Sequence, residues 1–379
     1  MTIQTIDAIP LSHSLDGRAL GSSRGKTDTR FTTLVRAETE DGLVGWGEAF
    51  APPRTVATAI DELLADEIVG MDPYQVESLV TDSYTGSLVD YHFADGPFVQ
   101  SAISGVDIAL WDILGKLTGE SVTRLLGSGD VSSVVPYAST GYFTSWGQDI
   151  EEPMRAAADE EFTAVKLKIG RGVEDDIDRV STAREILGDE TQIMVDFNGN
   201  YTPKQARRSV AALEKYDLTW VEEPVPAENL SGYRQLTPEL DIPVAAGEAH
   251  YGRFEYKQLL DERLVDIVQP NIGRIGGLSE ARFIAKLAAT ENIPVCPHVW
   301  NGGVGVAAAL HFYASLTTYP HSENVPVLLP FEFDRSPNPL RDELLEDPLD
   351  PRGGELAVPD GPGLGIDIDE EALERYRIE

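Results

Sequence analysis

Apolar and polar residues alternate with period two at the start of the chain, in "IQTIDAIPLSH" and in "FTTLVRAETEDGLVGWGEAF", whose two runs flank the turn signal "EDG". That period predicts β-strands in the first 50 residues. The spacing then becomes helical near 53–67, 74–83 and 99–118, the last run being "VQSAISGVDIALWDILGKLTG", which ends at a glycine. This opening third reads as an α+β layer.

From about residue 132 the rhythm is short strand, glycine or polar turn, amphipathic helix, strand again. The strand candidates are "VVPYAST", "AVKLKI", "QIMVDF", "TWVEEP", "PVAAGE", "DIVQP", "PVCPH" and "LLPFEF". Helical patterns separate them, among them "TPKQARRSVAALEKY", with Thr202 as N-cap and Pro203 at the first helical position. Eight strands alternating with helices predict an α/β fold, a (β/α)8-type barrel. The rival, a doubly wound sheet, leads one to look for a GxGxxG turn after the first strand, and the sequence has none. The expected division is residues 1–130 as an α+β capping domain, 131–344 as the barrel, and 345–379 as a Pro- and Gly-rich segment without strand-helix rhythm that packs back on the cap.

Composition narrows the partners. In 379 residues there are 64 acidic and 30 basic side chains, a formal net charge of −34 spread over the whole length. Such a surface repels nucleic acid and anionic membranes. With only eight lysines, it points to a protein adapted to concentrated salt, where a short screening length mutes self-repulsion. The single cysteine, Cys296, excludes an internal disulfide and a cysteine-based zinc cluster. No uninterrupted apolar run reaches the roughly 18 residues of a membrane span, and "MTIQTIDAIP" lacks the basic start and apolar core of a signal peptide. A cytoplasmic location is expected.

In a barrel of this kind chemistry gathers where strands run out into their following loops. Asp196, Glu222 and Glu248 close three successive strand candidates at intervals of 26 residues each, about one strand-helix unit. Each alone could equally be a helix cap or a solvated charge. Together they supply the hard oxygen ligands that Mg2+ prefers. Glu223 is expected on the other face of its strand, so Glu222 is the candidate ligand. Lys166 and Lys168 share one strand face and point inward if Val165, Leu167 and Ile169 pack outward. They either neutralise interior acids or act chemically, a desolvated lysine near a cation having a depressed pKa suited to a base. His298 ends the seventh strand candidate and Glu332 the eighth, where a carboxylic acid could hydrogen-bond a developing enolate oxygen. Asn198, two beyond Asp196, is a candidate for binding substrate. Two cap loops could cover the site, one with Arg18, Arg24 and Lys26, the other with Tyr91 and His92. Cations there would suit a second carboxylate; simple surface charge is the alternative.

The ordered set of "VKLKIG", the three acids and "GGLSEARFIAKLA" resembles the enolase superfamily and, within it, the mandelate racemase subgroup. "PHVWNGGVGVAAAL", "FEFDRSPNPLRDELL" and "VPDGPGLGIDID" are similar to the acid-sugar dehydratases and the galactarolactone cycloisomerases. The resemblance covers nearly the whole chain. It implies a sugar-acid substrate whose carboxylate meets Mg2+ and Lys166, with Lys168 as the base that removes the α-proton and His298 as base or acid on the opposite face. Departure of an oxygen group would then make a dehydratase or a lactone cycloisomerase. One residue departs from the pattern: Asn271 stands where the family pairs an aspartate with the histidine. Asparagine brings no negative charge, so His298 should be a weaker base and a readier donor. Racemisation or epimerisation, which needs competent bases on both faces, is the alternative reaction, and a catalytically inactive binding relative the alternative of another class. A homo-oligomer is expected.

Overall fold

The computed structural model describes residues 1–94, 96–128, 131–145, 150–316 and 329–379; Leu328 of the eighth strand candidate and the expected boundary at residue 130 lie outside them. Strands β1 (Ile3–Ser14), β2 (Thr29–Thr39) and β3 (Val44–Ala49) form an antiparallel meander, with Ile9 opposite Leu34 and Val35 opposite Gly47. Helix α1 (Pro97–Thr118) lies on it. Gly47 permits this approach, since a Cβ there would fall 1.9 Å from the Gly105 carbonyl oxygen. By length and composition α1 could cross a membrane, but 89% of its most apolar window is buried inside the protein, so it is a core helix.

The parallel sheet is curled, in the order β9, β8, β7, β6, β5, β4, β10. Its strands are β4 (Pro136–Thr140), β5 (Ala164–Lys168), β6 (Gln192–Asp196), β7 (Leu218–Glu222), β8 (Val244–Ala246), β9 (Ile267–Val268) and β10 (Phe331–Asp334). Among the described residues seven strands join this sheet where eight were expected. The "PVCPH" segment runs beside β9 through a single bridge, Val295 to Val268, with Cys296 N donating to the Val268 carbonyl. Pro294 and Pro297 lack the N–H that a ladder requires, and this holds the segment to isolated contacts. The last 35 residues hold one helix, α3 (Glu370–Tyr376), capped by Asp369 and burying Ala372, Leu373 and Tyr376, and pack back on the cap. Ile378 N donates to the Pro10 carbonyl of β1, and Leu364 N to Asp112 of α1.

Two side chains of α1 hold the start of the barrel helix α2 (Gly277–Glu291). Ser104 Oγ accepts from Gly276 N at 2.8 Å and Gly277 N at 3.1 Å, while Asp107 Oδ2 accepts from Ser279 N at 3.1 Å. The paired glycines of "GGLSEA" are thereby explained: Gly277 has φ +81°, and a Cβ there would fall 2.3 Å from Asp107 Oδ2. Burial pushes the Asp107 carboxyl up to about 7, against the pull of its hydrogen bonds from Ser279. Its folded pKa exceeds the unfolded value near 4, so the protonated form is the one the fold favours. The corresponding stability is full below about pH 4 and is lost as pH rises towards 7. An Asp107→Asn variant should flatten that decline, with a difference from wild type of up to about 4 kcal/mol. Urea midpoints between pH 4 and 8 measure it, and parallel curves for the two proteins would refute it.

Candidate active site

Inside the curled sheet, side chains alternate in and out, so each inward position lies two residues along its strand. The lowest inward layer is apolar: Tyr137, Ala164, Met194, Trp220, Ala245, Ile267 and Cys296 pack as one cluster. One step toward the C-terminal strand ends the layer becomes charged. Lys168 is in register with Asp196, and Asp196 with Glu222. Glu248 follows β8 after Gly247, whose φ of +148° lets the backbone turn against Gln269.

Asp196, Glu222 and Glu248 each bring a carboxylate oxygen within 4.8 Å of the other two. Lys166 Nζ donates to Glu222 Oε1 at 2.6 Å and stands 2.8 Å from Glu332 Oε1, and Lys168 Nζ donates to Asp196 Oδ2 at 2.5 Å. The remaining oxygens are held as well: Glu222 Oε2 accepts from Gln269 Nε2 at 2.6 Å and Trp220 Nε1 at 3.2 Å, and Asp196 Oδ1 from Asn198 N at 2.7 Å. Gln269 lies two residues before Asn271, a period-two signal already present in "IVQPN".

The alternation expected at Glu223 fails. At the end of β7 this residue takes φ +39°, and its side chain is buried among the acids instead of facing away. Burial, then Glu248, Asp196 and Glu222, push its carboxyl well up. Asp196, Glu222, Glu223 and Glu332, all buried, together with the part-buried Glu248 thus outnumber the two lysines, and Glu222 is pushed up to about 8 by burial and by its acidic neighbours despite Lys166. Oxygens of Glu223 and Glu248 are buried without a hydrogen bond. Excess buried negative charge and unsatisfied hard oxygens fit a divalent cation of the Mg2+ kind.

The protein's own charges bear on two protonation expectations. Burial alone would lower the Lys168 amine, but Asp196 and Tyr142 outweigh burial and hold it above its usual range, so the depression expected beside a cation does not come from the protein's own groups. Glu332 is not a neutral acid. Burial opposes its ionisation, yet Lys166 and His298 hold it down to about 2, and its Oε2 accepts from Val299 N at 2.7 Å. Both effects come from short ion pairs across the barrel, which a linear pattern does not encode.

His298 is buried across from the lysines, with Nδ1 2.8 Å from Asn271 Nδ2 and Nε2 3.2 Å from Glu248 Oε2, a contact too misaligned to satisfy that oxygen. Asn198 leaves its Oδ1 buried and without a hydrogen bond. The first cap loop does reach the barrel. Ser23 Oγ donates to the Phe197 carbonyl at 2.6 Å, Leu20–Gly21 pairs with Phe143–Thr144, and a Cβ on Gly199 would meet the Arg24 guanidinium at 3.2 Å. Arg24, beside Gly199, is exposed, and so are Arg18 and Lys26. Among the described residues no hydrogen bond, ion pair or ring contact joins Tyr91 or His92 to the site: both are exposed, their ring centroids lie 3.9 Å apart, and His92 pairs with Asp90. Tyr142 was missed by the sequence reading. Its ring lies 5.4 Å from Lys168 Nζ, and its hydroxyl donates to Asp334 and accepts from Trp300.

Residues 149–372 match the model described as enolase C-terminal domain-like, and residues 14–127 match the N-terminal domain of mandelate racemase / muconate lactonizing enzyme. The chain is 38% identical over 382 residues to a D-galactarolactone cycloisomerase from Agrobacterium fabrum, covering 100% of this chain and 99% of that one. The crystal structure of the 3,6-anhydro-D-galactonate cycloisomerase from Zobellia galactanivorans superposes with a TM-score of 0.88 at 34% identity, covering 100% of both chains. An L-talarate/galactarate dehydratase mutant, solved with Mg and L-glucarate, superposes with a TM-score of 0.86 at 26% identity, over 100% of this chain and 92% of the other.

Proposed function

Because this chain belongs to the mandelate racemase / muconate lactonizing enzyme family of the enolase superfamily, we propose that it is a Mg2+-dependent enzyme acting on a sugar acid or its lactone. In that reading it removes the proton α to the carboxylate and expels an oxygen from the adjacent carbon. The supporting observation is the facing of Lys166 and Lys168, on one strand, against three carboxylates whose oxygens converge within 4.8 Å. Asp196, Glu222 and Glu248 would hold Mg2+, which would compete with the lysines for these carboxylates and supply positive charge against the charge growing on the substrate.

The side chains divide the remaining work. Lys166, steadied by Glu222 and Glu332, meets the substrate carboxylate. Lys168 takes the α-proton, and the Tyr142 ring beside it excludes water. His298, on the opposite wall, offers a hydrogen bond to the departing oxygen. Asn198, with its unsatisfied buried oxygen, and Arg24, beside Gly199, bind substrate hydroxyl and distal acid groups in this reading. A departing hydroxyl makes the enzyme a dehydratase, and a departing ring oxygen makes it a cycloisomerase. The cycloisomerase names of two of the proteins it is similar to favour the second. Asn271 speaks against a racemase, since it gives His298 no negative partner.

The test is a panel of sugar mono- and diacids and their lactones, run with MgCl2 in D2O. Molar KCl is the proposed medium, because the charge of −34 suits a salt-adapted, cytoplasmic protein. Loss of oxygen converts the α-carbon to a carbonyl, so solvent deuterium should enter at the carbon that lost the oxygen. Deuterium at the α-carbon with inversion and no loss of oxygen would overturn the reading in favour of a racemase.

A further inference from the structure

Hydrogen-bond bookkeeping behind His298 assigns a role to a residue outside the metal and lysine set. Gly273 N donates to Asn271 Oδ1 at 3.0 Å. A backbone N–H can only donate, so the amide atom it meets is the oxygen and the NH2 group faces the other way. That NH2 has two neighbours, His298 Nδ1 at 2.8 Å and Asn301 Oδ1 at 3.1 Å, one acceptor for each of its hydrogens. A proton on His298 Nδ1 would set donor against donor in a buried site, which is costly. The imidazole proton therefore sits on Nε2, the nitrogen that faces the site beside Glu248.

We infer that Asn301 is a positioning residue that, through Asn271, locks His298 in its Nε2–H tautomer and makes it a donor instead of a base. The oxygen of Asn301 takes the second amide hydrogen and so resists a flip of Asn271 that would present Oδ1 to the imidazole. Asn301 is itself fixed. Its carbonyl accepts from Asn338 Nδ2 at 3.0 Å, and the next residues are clamped by the buried cap carboxylate Glu48, which accepts from Gly302 N at 2.6 Å and Gly305 N at 2.7 Å. Gly273 and Gly305 leave room for it, since a Cβ on either would fall within 2.8 Å of the Asn301 side chain. A carboxylate at position 271 would accept from Nδ1–H and leave Nε2 bare, the opposite tautomer. The lock stands on geometry alone; the use of Nε2–H as a hydrogen-bond donor to a departing oxygen rests on the function proposed above.

Nitrogen-15 NMR of the Mg2+-loaded, histidine-labelled protein reads the tautomer without turnover, with a His298→Gln variant to assign the signal. Wild type should show a bare Nδ1 and a protonated Nε2. Asn301→Ala should mix the two tautomers and lower kcat by about tenfold with little change in KM. Asn271→Asp should move the proton to Nδ1. A wild-type proton on Nδ1, or on both nitrogens, overturns the inference, as does an unchanged pattern in folded Asn301→Ala. Should Asn301→Ala fail to fold, Asn301→Ser, which removes the same amide oxygen with a smaller void, takes its place, and an unchanged pattern in it overturns the inference. If the wild-type tautomer is as stated but no sugar acid turns over, the proposed function fails and the lock stands.

Discussion

A Lys168→Ala variant should fold, bind Mg2+ and lose turnover by about 10^3-fold or more, the order expected for removing a positioned general base. The fold should tolerate the loss because Asp196 keeps the Asn198 N–H at 2.7 Å and the nearby positive charge of Lys166. The wild-type ion pair at 2.5 Å holds the amine protonated, so basicity depends on drawing Asp196 away. Loss of solvent deuterium incorporation, with an unchanged far-ultraviolet spectrum, would separate a chemical defect from a structural one. Full turnover in Lys168→Ala would remove Lys168 from the mechanism.

Exhaustive chelation should abolish activity, and added MgCl2 should restore it. The same treatment should lower thermal stability. A ligand at about 100 times its Kd contributes roughly 2.7 kcal/mol to the folded state, and here it also relieves repulsion among buried acids, one of which is pushed up to about 8. Calorimetry with and without Mg2+ in constant KCl checks this, the constant salt keeping surface screening equal. Activity that survives chelation would exclude the proposed metal role for Asp196, Glu222 and Glu248.

Much of the site was legible because it lies on regular elements. Period two placed Lys166 and Lys168 on one face, and the repeat of strand and helix placed three acids at strand ends, where their oxygens do converge. Glu223 escaped because alternation holds only while the backbone stays extended, and its φ of +39° ends the strand there. Tyr91 and His92 were named by residue type alone, and both are exposed in the fold.

By itself, then, the sequence determined the barrel-and-cap architecture, the acids and lysines that face one another, and the substitution of Asn271 for an acid. These follow from short-range periodicity and residue identity. Only the tertiary structure decided the protonation of Lys168 and Glu332, the turn of Glu223 into the cluster, and the orientation of the Asn271 amide. The protonation states and the amide orientation depend on partners up to 166 residues away in sequence and within 3.1 Å in space. At that range hydrogen-bond direction and charge pairing in a buried medium outweigh the intrinsic preference of any one residue.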